Sequence, residues 1–222
     1  SILAGSNGYY NFNTSNIFYF VDTISSDKTL DLYPQVLIAE DSSTLNKYVL
    51  DKISVYTNYS NRIRNTNLSK TMFSDSIYIL EQEPYLNHKT IKRMILEDIN
   101  WYYNKQTERK TIARFSDLGI FKSVNIINDT FERNNKPYIS QNIFLTPAKL
   151  QSISGEVEIN NRSGNFFGTG ASVKYIHRNL FGRAESLDVN LGGEVEAQFG
   201  EGLSVVNSSD LNLNLQLAVP RI

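Results

Sequence analysis

The segment QSISGEVEIN (Gln151–Asn160) alternates apolar and polar residues along its whole length. The same alternation recurs in GASVKYIHRN (Gly170–Asn179), AESLDVNLGGEVEAQF (Ala184–Phe199) and DLNLNLQLAV (Asp210–Val219). Successive side chains of a β-strand point to opposite faces of its sheet. The last third of the chain is therefore predicted to form four strands, each with one apolar face and one polar face.

Two architectures fit four strands of this kind. A soluble antiparallel sheet with one buried face alternates in the same way. A transmembrane β-barrel needs strands of about 9–11 residues, whereas soluble strands average about 5–6. The length of the four segments favours the barrel. The charges of Lys174, Asp188 and Glu194 on the polar face also suit a water-filled interior.

Residues 45–149 are predicted to form a separate unit of mixed secondary structure. The predicted order is a strand, a polar loop with a short strand after it, two helices and a final hairpin. The corresponding segments are Tyr48–Thr57, 58–70, Ile77–Leu80, 87–99, Thr107–Leu118, Phe121–Ile127 and Pro137–Pro147. Asn87 is expected to cap the first helix, and Gly119 to end the second. Trp101, Tyr102 and Tyr103 are expected to pack in the core of this unit.

The first forty residues predict a two-stranded hairpin. NIFYFVD (Asn16–Asp22) and LDLYPQVLIAE (Leu30–Glu40) have strand patterns. A polar turn over Ser25–Lys28 is expected to join them. Because little sequence precedes this hairpin, it is expected to be the end of a domain whose beginning is missing.

Composition excludes several functional classes. The 22 Lys and Arg balance 23 Asp and Glu, whereas nucleic-acid-binding domains usually carry a basic excess. The absence of cysteine removes disulfides, thiolate metal sites and cysteine nucleophiles. His88 and His177 are the only histidines and have no pattern of carboxylates around them. We therefore expect no enzymatic activity, no cofactor, no metal and no nucleic-acid partner.

Several motifs resemble one protein family. LGIFKSVNI (Leu118–Ile126) looks like the helix-to-strand junction of a POTRA domain. Residues 145–198 are similar to the junction between POTRA domain and barrel in the BamA/TamA superfamily of outer-membrane assembly factors. HRNLFGRAESL (His177–Leu187) and the strand ending in VPR (Val219–Arg221) most resemble the TamA-like lipoprotein branch of Bacteroidetes, called TamL.

The resemblance implies a fold and a domain division. The fold would be α+β POTRA domains of order β-α-α-β-β, followed by an antiparallel transmembrane β-barrel with about four of its roughly sixteen strands present. Residues 1–42 would be the C-terminal part of one POTRA domain, 45–149 the last POTRA domain, and 151–222 the first barrel strands. A family member should also carry an N-terminal lipidated cysteine, so this sequence is expected to be a fragment.

The resemblance also implies a function and its site residues. The protein would insert or export client proteins by strand exchange at the barrel seam. Ile153, Gly155, Val157 and Ile159 of the first barrel strand would pair with the client. The family motif would form a periplasmic turn comprising Arg178, Asn179, Leu180, Phe181, Gly182, Arg183, Ala184 and Glu185. Within this turn, Arg178 and Glu185 are expected to form an ion pair.

The implied location is the bacterial outer membrane, with the POTRA domains in the periplasm. The implied partners are unfolded outer-membrane client proteins, the lipid bilayer and a TamB-like inner-membrane-anchored protein. Two other functions stay open at this point. One is a two-partner-secretion-type transporter of the same superfamily, and the other is a soluble β-rich binding module.

Overall fold

The computed structural model of this 222-residue chain describes residues 5–24, 29–36, 42–60, 69–74, 76–162, 166–200 and 203–220. These residues form three sheets and two α-helices. The elements are β1 (Ile17–Ile24), β2 (Thr29–Val36), β3 (Val49–Tyr56), β4 (Ser69–Ser74), β5 (Ile77–Glu81), α1 (His88–Met94), α2 (Lys105–Asp117), β6 (Phe121–Arg133), β7 (Lys136–Pro147), β8 (Gln151–Arg162), β9 (Phe166–Arg178), β10 (Ser186–Gly200) and β11 (Leu203–Ala218). The fold is thus mostly antiparallel sheet with few helices.

The N-terminal hairpin forms where the sequence predicts it. Strands β1 and β2 pair antiparallel, from Ile17 opposite Val36 to Ile24 opposite Thr29. The predicted turn over Ser25–Lys28 and the predicted end of the second strand, at residues 37–40, lie outside the described residues.

The central unit is a mixed five-stranded sheet in the order β4-β5-β3-β7-β6. Strand β3 runs parallel to both of its neighbours, β5 and β7, while the outer pairs are antiparallel. Ile53 and Val55 of β3 are fully buried. They belong to one apolar core with Ile91 of α1 and Phe115 of α2. Burial of this kind stabilises a fold by about 25 cal/mol per Å² of apolar surface.

Local capping sets the ends of both helices. Asn87 Oδ1 accepts from Lys89 N at 2.9 Å, and Asn104 Oδ1 accepts from Gln106 N at 2.9 Å. Helix α1 ends at Met94 because Ile95 is already extended, so it is shorter than the predicted stretch to Ile99. Gly119 follows α2 with a φ of 67°, the left-handed conformation in which glycine carries no Cβ penalty.

Two predictions for the central unit are wrong. Residues 69–74, which include the end of the predicted loop, form strand β4, and this strand pairs with β5. Trp101 and Tyr102 are 70% and 57% exposed, and only Tyr103 lies in the core at 5%. Tyr103 lies beside β3, where its N–H donates to Tyr48 O at 2.9 Å. Tyr102 is exposed because neighbouring side chains of an extended segment point to opposite sides. Trp101 follows Asn100, whose backbone is left-handed at φ 65°, so the alternation does not extend to it.

The C-terminal sheet is an antiparallel meander in the order β11-β10-β9-β8. Its strands contain 12, 13, 15 and 16 residues from β8 to β11. Strands β8, β9 and β11 are longer than their predicted segments, while β10 nearly matches its predicted segment Ala184–Phe199. Residues 203–209, which lie before the fourth alternating segment, are also strand, because β10 and β11 pair as far as Gly200 opposite Leu203. Between β8 and β9, residues 163–165 lie outside the described residues.

Candidate functional site

The register of the C-terminal sheet gathers its apolar residues on one face. Val157 lies opposite Ala171, Ala171 opposite Gly193, and Gly193 opposite Leu211. The neighbouring rows continue the same face with Ile153, Tyr175, Val189 and Leu215, and with Gly155, Val173, Leu191 and Leu213. The alternation predicted from sequence is therefore in phase across all four strands.

This apolar face is exposed. The exposed fractions of Ile153 and Val157 are both 75%, and that of Leu211 is 83%. Contiguous apolar patches of this kind mark surfaces that contact a membrane or another macromolecule. The predicted alternation is present, but no core of the described residues covers it.

The opposite face of the sheet is polar and acidic. A cavity of about 160 Å³ lies over it, lined among others by Glu156, Glu158, Glu194 and Asn212. A Cβ on Gly192 would meet Asn212 Oδ1 at 2.9 Å, so the absence of a side chain there makes room for the Asn212 amide. Lys174 Nζ lies 3.8 Å from Asp188 Oδ2. This face could line a water-filled space.

Strand β8 is an edge strand of its sheet. It pairs with β9 from Gln151 opposite His177 to Arg162 opposite Phe166, and no other strand in the described part of the chain pairs with it. Its predicted client-pairing residues Ile153, Gly155, Val157 and Ile159 all lie on the apolar face. An edge strand presents unpaired backbone N–H and C=O groups that can pair with another strand. The edge position supplies what strand exchange needs, while the role itself stays a prediction.

The predicted family-motif turn connects β9 to β10 through residues 179–185. Asn179, Gly182 and Ala184 all have left-handed backbones, with φ values of 59°, 77° and 67°. Asn179 Oδ1 accepts from Ala184 N at 2.9 Å. Leu180 N donates to Glu185 O at 3.1 Å. Side chain and backbone bonds together hold the turn closed.

The predicted ion pair between Arg178 and Glu185 is wrong. Glu185 is buried, and its Oε2 accepts from Phe181 N at 3.3 Å and from Arg183 N at 3.0 Å. Arg178 Nη1 instead donates to Lys149 O at 3.3 Å. The carboxylate faces into the turn because the left-handed residues point backbone N–H groups toward it, and buried N–H groups need acceptors.

The turn docks on the central unit. Asn179 Nδ2 donates to Tyr85 O, and Asn87 N donates to Gly182 O at 2.8 Å. Ala184 is buried and belongs to the apolar core of the central unit. We call these contacts, between the 179–185 turn and residues 85–87, the docking contact. They hold the meander against the sheet that contains β3.

The covalent connection beside the docking contact is short. Only residues 148–150 separate β7 from β8. Ala148 N donates to Ile120 O at 2.9 Å, and Arg178 N donates to Leu150 O at 2.7 Å. Tyr85 lies near this linker, and its hydroxyl donates to Ile120 O at 3.0 Å. Burial raises the pKa of the Tyr85 hydroxyl, and the Arg178 guanidinium partly opposes that shift.

Sequence reasoning missed the partners of the turn. Tyr85 was not singled out, and Asn87 was predicted only as a helix cap. Tyr85 lies 94 residues before Asn179 in the chain, and no local pattern links positions that far apart. The feature that could have helped is the break before α1, because residues 82–87 are neither strand nor helix and their backbone groups therefore need partners elsewhere.

A second polar cluster lies under helix α2. Glu108 Oε2 accepts from Tyr103 OH at 3.2 Å and from Asn128 Nδ2 at 2.6 Å. Glu97 Oε2 accepts from Thr111 Oγ1 at 2.6 Å, while its buried Oε1 has no hydrogen-bond partner among the described residues. Burial raises the pKa of the Glu97 carboxyl, and the Thr111 hydrogen bond partly opposes the shift. Burial, with the Glu108 carboxylate, also raises the pKa of Tyr103.

The structure offers little to ligate a metal ion. Within the described ranges, no group of three His, Asp or Glu side chains is arranged to hold one. His88 Nε2 instead lies 2.6 Å from Glu81 Oε1, and Thr57 Oγ1 donates to the same carboxylate at 2.8 Å. Neither helix of the described chain is long and apolar enough to cross a membrane.

Comparison with known proteins gives partial similarities, and no protein-family model matches the chain. Over 120 residues, the chain is 27% identical to Outer envelope protein 80, chloroplastic, from Oryza sativa subsp. japonica. That match covers 54% of this chain and 17% of the rice protein. The chain is also similar to a crystal structure of BamA from Haemophilus ducreyi lacking POTRA domains 1–3, at 12% identity and a TM-score of 0.46.

The BamA match covers 88% of this chain and 35% of the BamA chain. CdiB from Acinetobacter baumannii is similar at 11% identity and a TM-score of 0.42, over 86% of this chain and 30% of CdiB. The chain therefore spans 17% of the length of the curated relative and about a third of each solved structure.

Proposed function

We propose that this chain belongs to an outer-membrane β-barrel assembly or translocation factor of the BamA/TamA superfamily, in its TamL branch. In this proposal β8 to β11 are barrel strands whose apolar face contacts lipid. Residues 45–149 are the last POTRA domain, and residues 1–42 are the end of the preceding one. The full protein resides in the bacterial outer membrane with its POTRA domains in the periplasm.

The observation that carries the proposal is an edge strand on an amphipathic sheet. Strand β8 has a paired side toward β9 and an opposite side without a strand partner among the described residues. In hydrocarbon, each unsatisfied backbone group costs several kcal/mol, so such an edge must pair with something. A client strand that pairs there satisfies these groups by β-augmentation.

Three further observations support the proposal. Strands of 12 to 16 residues are long enough to cross a bilayer at a tilt. The central unit has the elements β3, α1, α2, β6 and β7 in the order expected of a POTRA domain, with β4 and β5 in addition. The sequence is similar to part of an outer envelope protein.

The soluble binding module is the less favoured alternative. A soluble sheet of this kind would bury its apolar face, yet Ile153, Val157 and Leu211 are at least 75% exposed. The proposed activity uses backbone pairing and needs no catalytic group or cofactor. Its partners would be unfolded outer-membrane client proteins, the lipid bilayer and a TamB-like inner-membrane protein.

Site-specific disulfide formation tests the strand-exchange role. Ser154→Cys puts a thiol on edge strand β8, and Ser172→Cys puts one on interior strand β9. Both serines lie on the polar face, because Ser154 pairs with Lys174 and Ser172 with Glu156. Each variant of the full-length protein is combined in cells with a barrel client that carries cysteines along its terminal strand.

We expect disulfides from position 154 and none from position 172. Fractionation should place the protein in the outer membrane, and its depletion should lower the amount of other barrel proteins there. Equal yields at the two positions, or no loss of barrel proteins on depletion, would contradict the proposal.

A further inference from the structure

A basic cavity lies at one end of the C-terminal sheet. Its volume is about 420 Å³, and it is bounded by helix α1, the 179–185 turn and the residues after β11. Its lining residues are Asn87, Lys89, Thr90, Arg93, Arg183, Glu185, Val219 and Pro220. The size falls within the range of about 300–1,000 Å³ that is typical of small-molecule sites.

The cavity carries an excess of positive charge. Lys89, Arg93 and Arg183 are exposed, and none of the three forms an ion pair with another described residue. The only acidic residue in the lining is Glu185, whose carboxylate already accepts two backbone N–H groups of the turn. Three cations against one carboxylate leave the cavity with a net positive charge, which favours a negatively charged ligand.

One wall of the cavity is the end of the apolar face. Apolar residues occupy alternate positions along β11 and just past its end: Leu211, Leu213, Leu215, Leu217 and Val219. Val219 is 64% exposed. Phe181, at the tip of the adjacent turn, is 70% exposed. Aromatic residues concentrate where the hydrocarbon of a bilayer meets its headgroups. The cations therefore lie at the level where the apolar surface ends.

We propose that this cavity binds the phosphate of an anionic phospholipid in the leaflet that meets this end of the sheet. Arg93 and Arg183 would hold the phosphate, since guanidinium groups bind phosphate oxygens in a bidentate manner. Lys89 would add a point charge, and the acyl chains would lie along Leu217 and Val219. This inference rests on the proposed function, because it requires the apolar face to lie in a bilayer.

The charged surface of the cavity lies next to an apolar surface, which favours a phospholipid over free phosphate as the ligand. Inorganic phosphate would use only the three cations, whereas a phospholipid also covers Val219 and the exposed end of the strand. Each cation near an anionic membrane surface contributes roughly five-fold in affinity. Loss of all three should therefore weaken binding roughly 100-fold, and by less where added salt screens the charges.

The test measures lipid binding to the full-length protein by native mass spectrometry. Purified protein in neutral detergent is titrated with phosphatidylglycerol, with phosphatidylcholine, or with phosphatidylglycerol in the presence of excess inorganic phosphate. The test variant carries Lys89→Gln, Arg93→Gln and Arg183→Gln. The matched control carries Arg109→Gln, Lys110→Gln and Lys122→Gln, which remove three exposed cations outside the cavity. Insertion of every variant into phosphatidylcholine vesicles is measured in parallel.

We expect the wild type and the control variant to bind phosphatidylglycerol at least ten-fold more tightly than phosphatidylcholine, and the test variant to lose that preference. Equal binding of the two lipids by the wild type would overturn the inference, as would an undiminished preference in the test variant. If millimolar inorganic phosphate displaces the lipid completely, the site is one for free phosphate, and the lipid assignment is wrong. Failure of the wild type to insert into vesicles would instead refute the proposed function.

Discussion

Substitutions at Asn179 can separate the two hydrogen bonds that its side chain forms in the 179–185 turn. Its Oδ1 closes the turn by accepting from Ala184 N at 2.9 Å, and its Nδ2 docks the turn by donating to Tyr85 O. Asn179→Asp keeps the acceptor and removes the docking donor. Asn179→Gly removes both groups but keeps the left-handed backbone at φ 59°, which glycine adopts without strain.

The size of each effect follows from the bonds that are lost. A typical hydrogen bond contributes about 1 kcal/mol net, and a buried group left without a partner costs about 1–3 kcal/mol. Asn179→Asp should therefore weaken the docking contact by about 1–2 kcal/mol, because an acceptor then faces the Tyr85 carbonyl. Asn179→Gly should cost about 2–3 kcal/mol, because Ala184 N also loses its acceptor.

Residue-resolved hydrogen exchange on the full-length protein reads the two bonds separately. The Asn87 amide, which donates to Gly182 O at 2.8 Å, reports the docking contact, and the Ala184 amide reports closure of the turn. Asn179→Asp should speed exchange of the Asn87 amide by roughly 5- to 30-fold and leave the Ala184 amide protected. Asn179→Gly should speed both.

Phe181→Ser provides the control, since Phe181 is in the same turn but is 70% exposed. It should change neither amide. If Asn179→Asp leaves the Asn87 amide at its wild-type rate, the side chain does not hold the turn to the central unit. The reasoning would also fail if Ala184 exchanged faster in Asn179→Asp while Asn87 did not.

Three further changes test other parts of the structure. Because burial raises the pKa of the Glu97 carboxyl, the free energy of unfolding falls as the pH rises above 4.5, the pKa of this group in the unfolded chain. Glu97→Gln removes this effect, so it should slow hydrogen exchange in α2 at pH 7 and have little effect at pH 4. Equal effects at both pH values would show that charge is not the cause. Val157→Arg on the apolar face should destabilise the membrane-embedded protein by about 2–4 kcal/mol. In gel electrophoresis of heated samples, the folded band should disappear at a lower temperature than in the wild type. Glu158→Arg on the opposite face is its control, and equal losses would contradict the assignment of the faces. Asn104→Ala should lower the free energy of unfolding by about 1 kcal/mol and speed hydrogen exchange of the Gln106 and Thr107 amides. Asn104→Asp should change neither. Unchanged exchange in Asn104→Ala would mean that the cap is dispensable.

Periodicity made the C-terminal sheet predictable. Period-two alternation fixes which side chains share a face, and the observed register keeps Val157, Ala171, Gly193 and Leu211 in one row. Strand ends were less predictable, because Leu203–Ser209 lacks strict alternation and yet pairs with β10. Cross-strand hydrogen bonds extend a hairpin past the point where the hydrophobic pattern stops.

The docking contact, unlike the C-terminal sheet, was not predictable from local sequence patterns. The resemblance singled out the turn residues, but the role of Glu185 depends on a turn in which Phe181 N and Arg183 N donate to its carboxylate and Ala184 is left-handed. Residues other than glycine and asparagine seldom adopt the left-handed conformation, so no propensity argument would place Ala184 there. The tertiary contact with the central unit stabilises it. The exposed Trp101 is similar, since its position follows from pairing beside β3 and not from its hydrophobicity.

The linker at residues 148–150 and the docking contact attach the central unit to the meander at two separate points. Tilting the central unit away from the meander requires that the bond from Asn87 N to Gly182 O or that from Ala148 N to Ile120 O be broken. Because the linker is so short, force applied to the central unit would reach Gln151, the end of the edge strand nearest the linker.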